Sequence, residues 1–501
     1  MRRLLPLLVL LAVASTASAA VVHGSRHGGL IVGTPRADHL VGGAAADRIQ
    51  SAFGGIDSVT CGAGADIVSA DTGDHVAASC EILSRRLSVD PYTNADSQHE
   101  TAVEPDSFAA GGTVVAAFQV GRRGTGAAAN IGTAVSSDGG RTWLRSLLPG
   151  TTVEATPPGT QIAVSDPAVA YDAAHGVWLA SALAIERSSS HIYVARSTDG
   201  RSWSPPVDAA DGAQLDKDWI ACDDGASSPL RGRCYLEYSD DAKNTTVSQY
   251  STDGGATWSP PVRAGDILVG TQPVIEPDGT LVVVAGDYPS EDALSGRMVT
   301  LRSTDGGATF TRIVVASFRA ADNDPMRAIS LPSVDADPSG TIYAVWPDCR
   351  FRAGCTRNDM VLSTSQDGLT WSTPTRIALA PTASPRSFFI PGVAADPARP
   401  GHLALVYAFF YAGGCKGAAC KLGFGIAQSA NGGSSWQTQR LDAQPVPVTW
   451  VPRAEGGRMV GDYFSVSYAG DRVVPVFSLA APPLRGRYRE GIFATSVRAL
   501  G

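Results

Sequence analysis

Long apolar runs and an excess of basic residues are both missing from this 501-residue chain. Beyond the first twenty residues, no segment reaches the roughly 18 apolar residues that a membrane-spanning helix needs. The formal net charge is −8, whereas nucleic-acid-binding proteins normally present a basic surface. These absences argue against a membrane span and against nucleic acid as a partner, and we expect a soluble, monomeric mature protein.

Motifs of several well-known enzyme classes are also missing. The chain has no glycine-rich phosphate loop, no His-Glu-x-x-His helix and no Gly-x-Ser-x-Gly turn. Its eight histidines are scattered, and its cysteines show no Cys-x-x-Cys spacing. The sequence therefore does not support phosphate-loop, zinc-protease or serine-hydrolase chemistry.

Six copies of a short sequence motif, here called the box, form the strongest pattern that is present. Each copy contains a serine, an acidic residue or asparagine, a glycine, a hydroxyl residue and an aromatic residue. The copies are Ser136–Trp143, Ser197–Trp203, Ser251–Trp258, Ser303–Phe310, Ser365–Trp371 and Ser429–Trp436. Their last residues lie 60, 55, 52, 61 and 65 positions apart, and a repeat of this kind indicates one supersecondary unit stacked many times.

Each unit reads as a four-stranded meander. An apolar first segment such as Asp166–Asp172 precedes a β-branched or aromatic run such as Leu281–Val284, and short strands flank the box. Such units repeated radially form an all-β propeller. Counting first strands favours seven blades, with six as the alternative. In the seventh unit, residues 86–89 would supply the missing outer strand and close the ring.

The six motifs resemble Asp-boxes, also called BNR repeats, of the sialidase superfamily. Within that superfamily, the chain looks most like secreted bacterial sialidase-like proteins. The resemblance implies that the boxes are structural, with their aromatic residues packed against the next blade. It places the active face opposite the boxes. Sialidases hold a substrate carboxylate with three arginines and use a Tyr–Glu nucleophile pair and an Asp acid.

Carried onto this chain, the resemblance implies a set of candidate residues. The carboxylate clamp would consist of Arg327, Arg350 and Arg386. Tyr463 would be the nucleophile, Glu276 its base and Asp218 the acid. The ligand site would also include Trp219, Asp348 and Asp462. The alternative is that Asp462, Tyr463, Asp348 and Arg350 only fix loops through ion pairs and hydrogen bonds.

One motif of the sialidase family is absent. The family's Phe/Tyr-Arg-Ile-Pro motif does not occur, and the first unit offers only Arg122-Arg123. We therefore expect a protein that binds glycans or other extracellular ligands on its central face without full sialidase catalysis. The alternative is an active exo-sialidase-type glycoside hydrolase that removes terminal acidic sugars.

A second repeat precedes the boxes, in which five aspartates recur and each is followed two residues later by an aliphatic residue. They are Asp38, Asp47, Asp57, Asp66 and Asp74. With the glycines before them they resemble degenerate hemolysin-type (RTX) calcium repeats, which form a parallel β-roll. The resemblance implies that carboxylates and turn carbonyls bind calcium; a disulfide-closed, Asp-rich spacer is the alternative.

The organisation of the chain follows from these patterns. Residues 1–20 carry a basic start, an apolar stretch and the cleavage site Ala17-Ser18-Ala19, which predicts a signal peptide and secretion. We expect the repeat module at 21–85, a linker with the ring-closing strand at 86–97 and the propeller at 98–501.

An even cysteine count in an exported chain predicts local disulfides, pairing Cys61 with Cys80, Cys222 with Cys234, Cys349 with Cys355 and Cys415 with Cys420.

Overall fold

The computed structural model describes residues 19–290 and 293–501, and nearly all of its regular structure is β-strand. The predicted all-β class is therefore confirmed. The predicted signal peptide, apart from its last two residues, lies outside the described residues. No helix in the described ranges is long and apolar enough to cross a membrane. The helices there are four single 3₁₀ turns, at Asp241–Lys243, Ala353–Cys355, Gly417–Ala419 and Val448–Trp450.

A small β-solenoid of four turns forms the N-terminal part, as the aspartate–aliphatic repeat predicts. Its strands are β1 (Val21–His23), β2 (Leu30–Val32), β3 (His39–Val41), β4 (Arg48–Gln50), β5 (Ser58–Thr60), β6 (Ile67–Asp71), β7 (His75–Val76) and β8 (Ile82–Arg86). The odd-numbered strands pair in one parallel sheet and β2, β4, β6 and β8 in another. Each turn thus contributes one strand to each sheet.

The aliphatic residues of the repeat fill the space between the two sheets. Leu40, Ile49, Val59 and Val68 are at most 1% exposed. The parallel register aligns Leu40 with Val59 and Ile49 with Val68. Stacking buries apolar surface that a single turn could not bury, which is the stability rule for solenoids.

Seven antiparallel meanders follow in the described part of the chain. Meander one contains β9 (Ala102–Ala110), β10 (Thr113–Arg122), β11 (Ala128–Ser136) and β12 (Leu144–Leu147); meander two contains β13 (Ala163–Asp172), β14 (Val177–Ile185), β15 (Ser190–Ser197) and β16 (Val207–Gly212). Meander three contains β17 (Leu215–Cys222), β18 (Cys234–Asp240), β19 (Thr245–Ser251) and β20 (Val262–Asp266); meander four contains β21 (Val269–Ile275), β22 (Leu281–Asp287), β23 (Ser295–Ser303) and β24 (Thr311–Arg319).

The remaining meanders have the same order of strands. Meander five contains β25 (Ser333–Ala336), β26 (Ile342–Asp348), β27 (Asp359–Ser365) and β28 (Thr375–Arg376); meander six contains β29 (Ser387–Ala395), β30 (Leu403–Phe410), β31 (Lys421–Ser429) and β32 (Gln437–Arg440). Short strands β33 (Val446–Pro447), β34 (Arg453–Ala454) and β35 (Gly457–Arg458) lead to meander seven, with β36 (Ser465–Ala469), β37 (Arg472–Leu484), β38 (Arg487–Thr495) and β39 (Val497–Arg498).

The first strands of the meanders, here called the inner strands, lie side by side in a ring. β9 contacts β13, and the contacts continue through β17, β21, β25 and β29 to β36, which returns to β9. Polar side chains cross these contacts: the Val169 N–H donates to Asp106 Oδ2 (2.8 Å), and the Ser107 N–H donates to Ser465 Oγ (3.0 Å). Backbone donors that would otherwise be buried without a partner are thereby satisfied from the neighbouring meander.

The Asp-boxes lie in the turns between the third and fourth strands. In the first box, the Asp138 carboxylate accepts the backbone N–H groups of Arg141 (3.0 Å) and Thr142 (2.9 Å). Trp143 is 7% exposed and packs in one apolar cluster with Val474 of meander seven. This box therefore closes its own hairpin and seals the contact with the neighbouring meander, which is the role that the sequence predicts.

Meander seven is completed by a strand of the solenoid. β38 pairs antiparallel with β8, with Phe493 opposite Arg86 and Thr495 opposite Ser84, and the hydroxyls of Ser84 and Thr495 lie 2.6 Å apart. The sequence placed this outer strand at 86–89 and a boundary after residue 85. The strand lies earlier because it is also the last strand of the solenoid, so the expected boundary falls inside a shared sheet.

All four predicted disulfides are present. They join Cys61 to Cys80, Cys222 to Cys234, Cys349 to Cys355 and Cys415 to Cys420. The last two close the loops between the second and third strands of meanders five and six. Those loops are thus fixed on the end of the ring opposite the Asp-boxes.

We predict that damage to the solenoid core destabilises the ring, because β8 belongs to both. Ile49→Ala should cost about 2–5 kcal/mol, as large-to-small changes in a core do. All nine tryptophans lie between residues 143 and 450, so their fluorescence during urea unfolding reports on the ring alone. The tryptophan midpoint should fall in Ile49→Ala and stay unchanged in Ile56→Ala, whose side chain is 62% exposed. An unchanged midpoint in Ile49→Ala would show that the ring is independent of the solenoid.

Candidate functional site

Three neighbouring inner strands each carry a charged residue in the left-handed region of φ. They are Glu104 on β9 (53°), Asp166 on β13 (48°) and Lys217 on β17 (52°), each beside an irregularity in the strand register. This conformation costs of order 1–3 kcal/mol for a non-glycine residue and is concentrated at functional sites. Gly270 and Ile390 occupy the corresponding positions of meanders four and six, so the charge gathers on one arc of the ring.

Lys217 links three meanders through ion pairs. Its Nζ lies 2.8 Å from Asp166 Oδ1 of meander two and 3.5 Å from Asp462 Oδ2, in the segment that leads into β36. Burial acts to lower the pKa of this lysine, but the carboxylates of Asp166, Asp462 and Glu104 raise it above the usual value. Lys217 is therefore a buried, permanently charged centre.

Arg327 is the residue of this cluster that reaches solvent. Its Nη2 and Nε lie 2.7 and 3.2 Å from the two carboxylate oxygens of Asp462, which makes a bidentate pair. The arginine side chain is 31% exposed, whereas that of Asp462 is 3% exposed. Burial opposes ionisation of Asp462, but Lys217 and Arg327 hold its pKa below the usual value. The facing loop has Gly126 next to Arg327 Nη1, and its φ of 104° is a conformation that residues with a side chain rarely adopt.

Glu104 is the acid of this cluster that keeps its proton near neutral pH. It is 1% exposed, and burial, against the opposing charge of Lys217, raises its pKa to about 8. The negative charges of Asp166 and Asp462 act in the same direction as burial. Gln119 Nε2 donates a hydrogen bond to Glu104 Oε2. The cluster thus places a protonated acid beside ionised carboxylates, the separation of roles that acid–base sites use.

Three of the predicted site residues pack against this cluster. The Tyr463 hydroxyl donates to the carbonyl of Pro167 (3.1 Å), and its ring meets Trp219 edge-on with centroids 4.9 Å apart. Tyr463 is 5% exposed, and burial raises its pKa well above the usual value. Asp218 is fully buried on β17, and burial raises its pKa as well.

The other two predicted arginines lie on meanders five and six. Arg350 pairs with Asp348 (2.7 Å) beside the Cys349–Cys355 disulfide. Arg386 lies over the ring of Phe409, 4.8 Å from its centroid. Within the described residues, no hydrogen-bonded or ion-paired partner is shared by Arg350, Arg386 and Arg327.

Glu276 lies at the other end of the ring from Tyr463. It occupies the turn after β21, where its N–H donates to the carbonyl of Thr280 (2.9 Å). Burial and the charge of Asp278 raise its pKa to about 7. The same carboxyl senses Asp367 of the fifth Asp-box, which places Glu276 on the box side and away from the predicted nucleophile.

A cavity of about 330 Å³, here called the channel, lies inside the ring of inner strands. All seven inner strands or their immediate flanks line it, and its wall carries the hydroxyls of Ser107 and Ser467 and the carboxyls of Asp106 and Asp335. Burial raises the pKa of Asp106 to about 7. Trp219 lines the channel too, and it connects the channel with Tyr463 and the charged cluster.

A family model described as a BNR repeat-like domain matches residues 191–470, more than half of the chain. The chain belongs to the BNR repeat-like family. A search of the curated proteins found no match. The match begins within β15 and ends just after β36, so Lys217, Arg327 and Asp462 lie inside the family segment, while Glu104 and Asp166 precede it.

Several solved structures are similar to this BNR repeat-like protein. A protein of unknown function from Dyadobacter fermentans is 14% identical, with a TM-score of 0.44, over 67% of this chain and 95% of that one. The Hadza microbial sialidase Hz136 is 17% identical, with a TM-score of 0.43, over 66% of each chain. The phage phi92 endosialidase is 10% identical, with a TM-score of 0.47, over 87% of this chain and 73% of that one. At these identities and scores, the similarities assign no activity to this chain.

The solenoid of this BNR repeat-like protein arranges its acids in two files. After the first acid of each file, every carboxylate accepts the backbone N–H of the acid one turn earlier, at distances between 2.6 and 2.9 Å. The files are Asp38, Asp57 and Asp74 at one corner, and Asp47, Asp66 and Glu81 at the other. The sequence pattern shows one series because successive repeats alternate between corners.

Two acids of this arrangement each keep one carboxylate oxygen unbonded. Among the described residues, Asp57 Oδ2 and Asp66 Oδ2 are buried without a hydrogen-bond partner, and burial together with the charges of Asp74 and Asp38 raises the pKa of Asp57 to about 7. A cation would relieve that unfavourable charge. In residues 19–290 and 293–501, no group of three or more histidine, cysteine or acidic side chains is placed to hold a metal ion. Backbone carbonyls would therefore have to supply most of the oxygen ligands.

The sequence reasoning missed Glu104, Asp166 and Lys217. A signal was present, because Glu104 and Asp166 each precede a proline at the start of an inner strand. Lys217 stands between two aspartates at the same place in meander three. An alignment of the first strands of the repeat units would have predicted that these three residues lie at the same height in the ring.

Glu104→Gln should reduce the loss of stability as pH rises. The folded protein holds the Glu104 proton up to about pH 8, whereas an unfolded glutamate releases it near about pH 4.3. Between these values the folded state binds one more proton than the unfolded state, so this group lowers the unfolding free energy by about 1.4 kcal/mol per pH unit. Glutamine keeps the shape and cannot titrate, so urea unfolding of the variant should lack this part of the slope.

The matched control is Glu186→Gln, which changes an exposed glutamate. Its pH dependence should equal that of the wild type. Equal slopes for Glu104→Gln and the wild type would contradict a raised pKa at Glu104.

Proposed function

We propose that this protein is a secreted β-propeller of seven blades that binds glycans at the mouth of its central channel, without full sialidase catalysis. The observation that carries the proposal is the pre-formed cluster of Lys217, Arg327, Asp462, Asp166 and Glu104. Strained backbone positions and buried ion pairs hold these groups, while the Arg327 guanidinium stays accessible. Pre-arranged polar groups beside an aromatic side chain are typical of sites for small ligands.

The blade number is supported by the order of contacts in the ring. Seven inner strands contact one another in a closed order, and β8 serves as the outer strand of meander seven. Such closure removes the exposed sheet edge that an open array would leave. Four disulfides fit an oxidising, extracellular location.

The chemistry of the cluster suits a sugar. Arg327 offers planar N–H donors for hydroxyl or carboxylate oxygens, and Asp462 already neutralises much of its charge. Trp219, which is partly exposed in the channel wall, offers an apolar face against which a sugar ring can pack. A protein of this kind would act as a monomer with an extracellular glycan as its partner.

The environment of Tyr463 favours binding over sialidase catalysis. A phenol nucleophile needs a neighbouring base, but the Tyr463 hydroxyl donates to the Pro167 carbonyl, and burial raises its pKa. Glu276 lies on the box side of the ring. Each of the three candidate arginines is held by separate contacts, which supports binding without the arginine clamp of the sialidases.

One observation favours a second candidate, an exo-sialidase-type glycoside hydrolase for acidic sugars. Glu104 keeps its proton, while the pKa of nearby Asp462 is lowered. Two carboxyl groups with opposite shifts are what glycoside hydrolysis requires of its acid and its ionised partner. In that case Glu104 would donate a proton to the leaving sugar oxygen.

Arg327→Ala should weaken binding on a glycan array by about tenfold or more, because about 1.5–3 kcal/mol is expected from a hydrogen bond to a charged group. Arg201→Ala, an exposed arginine in the second Asp-box, should bind as the wild type does. The same preparations should release no 4-methylumbelliferone from its sialoside. Turnover that survives Tyr463→Phe and is lost in Glu104→Gln would overturn the binding proposal in favour of the hydrolase.

We also propose that the solenoid binds calcium at the corner formed by Asp38, Asp57 and Asp74, with Asp57 as a carboxylate ligand. Calcium should then raise the thermal midpoint of the full-length protein prepared in EDTA, because a ligand at a hundred times its Kd stabilises by about 2.7 kcal/mol. Asp57→Asn should remove this response, while Asp471→Asn, in an exposed turn, should retain it. A wild type that does not respond to calcium would reject the site.

A further inference from the structure

Three loops of meanders five and six form one continuous surface on the end of the ring opposite the Asp-boxes. They are residues 349–358, 376–386 and 411–420. The Gly413 N–H donates to the Pro385 carbonyl (2.6 Å), and the Asn358 N–H donates to Ser387 Oγ (3.0 Å). Disulfides close the first and third loops. The surface is therefore built from braced backbone.

A buried ion pair organises the middle loop. Arg352 is 6% exposed, and its Nη2 and Nε lie 2.6 and 2.7 Å from the two oxygens of Asp359. Arg352 Nη1 donates to the carbonyl of Ser384 (3.1 Å), and Arg376 Nε lies 2.8 Å from Asp359. These two arginines are satisfied by the protein, and they fix the loop that presents Arg386.

Arg357 and Arg386 differ from them, because they form no ion pair among the described residues. Gly413 of the third loop lies between the segments that carry them: a Cβ on Gly413 would come within 2.8 Å of Arg357 Cγ and 2.9 Å of the Cβ of Ser387, which follows Arg386 in the chain. Arg357 Nε is without a hydrogen-bond partner in the described residues. Both arginines therefore belong to the same three-loop surface, and neither is paired with a carboxylate of the described residues.

Tyr411 forms the centre of this surface. The guanidinium carbons of Arg386 and Arg440 lie 5.8 and 5.5 Å from its ring centroid. Arg48 of the solenoid also lies near enough for its charge to act on the Tyr411 hydroxyl. Arg440 has a partner in Asp442, but Arg48 has none among the described residues. We call Arg48, Arg357, Arg386, Arg440 and Tyr411 the basic surface.

We propose that the basic surface binds the chain of a polyanionic glycan, one that carries carboxylate or sulfate groups on successive sugars. Planar guanidinium groups match both kinds of anion, and the partly exposed Tyr411 offers a ring for stacking of a sugar. Arginines spread over two loops, strand β32 and the solenoid suit a charged polymer better than a single sugar. The inference rests on the proposed function in that it names the glycan class, and the polymer would run from the ring mouth across meanders five and six.

The test uses the full-length protein and measures binding to polygalacturonate, dextran sulfate and uncharged dextran over a range of salt concentrations. Wild type should bind at least one charged polymer, and the affinity should fall as salt rises, because exposed charges are screened. Arg357→Gln with Arg386→Gln should weaken that binding about tenfold. Glutamine keeps part of each side chain's stem, and an unchanged thermal midpoint shows that the loops have kept their fold. Preference between the two polymers distinguishes carboxylate from sulfate.

The control is Arg201→Gln together with Arg141→Gln, which removes the same charge from exposed arginines of two Asp-boxes. It should leave polymer binding unchanged. An equal loss in the control and the test variant, binding of dextran as tight as that of the charged polymers, or no binding of either charged polymer would overturn the inference. Arg327→Ala distinguishes the two proposals. If only this variant loses binding of small glycans, the ring mouth is their site. If only the double variant loses binding of the polymer, the basic surface is the polymer's site.

Discussion

The ion pairs of Lys217 are the interaction on which the proposed site depends. One ammonium group lies within 3.5 Å of carboxylates from meanders two and seven. Meander three is thus joined at one point to meander two, its neighbour in sequence, and to meander seven, at the far end of the chain. Those carboxylates then position Arg327 and keep the proton on Glu104. Removing one partner from such a buried network leaves an uncompensated charge, which typically costs about 3–5 kcal/mol. The strained φ values of the three inner-strand residues are tolerated because the network determines their positions.

Strand β8 belongs to both the solenoid and the ring. Its pairing with β38 completes meander seven, and its pairing with β6 completes a sheet of the solenoid. Any ion that orders the acid files would therefore also support the closure of the ring. The same arrangement brings Arg48 of the solenoid to the loops of meander six. The N-terminal repeats thus contribute both to stability and to the surface that a ligand would meet.

The repeat architecture could be predicted from the sequence because it depends on local signals that recur: the Asp-box turn, the strand pattern and the aspartate–aliphatic spacing. The disulfides followed from cysteines that are close in sequence. The site was harder to predict. Arg327, Asp462, Tyr463 and Trp219 lie together. Arg350 instead bonds to Asp348 and to the Ser317 carbonyl of meander four, and Arg386 lies over the ring of Phe409. Glu104, Asp166 and Lys217 were missed because a strand irregularity, which alternation of side chains does not reveal, turns them toward one another.

A double-mutant cycle on Lys217 and Asp166 tests most directly whether the cluster acts as one unit. The unfolding free energy would be measured for Lys217→Met, Asp166→Asn and the double variant. The account predicts that the double variant is less destabilised than the sum of the single variants, by about 0.5–3 kcal/mol, because Asp166→Asn removes the carboxylate that Lys217→Met leaves without its partner. Strictly additive effects would contradict the account, since they would mean that Lys217 does not hold the mouth of the ring together.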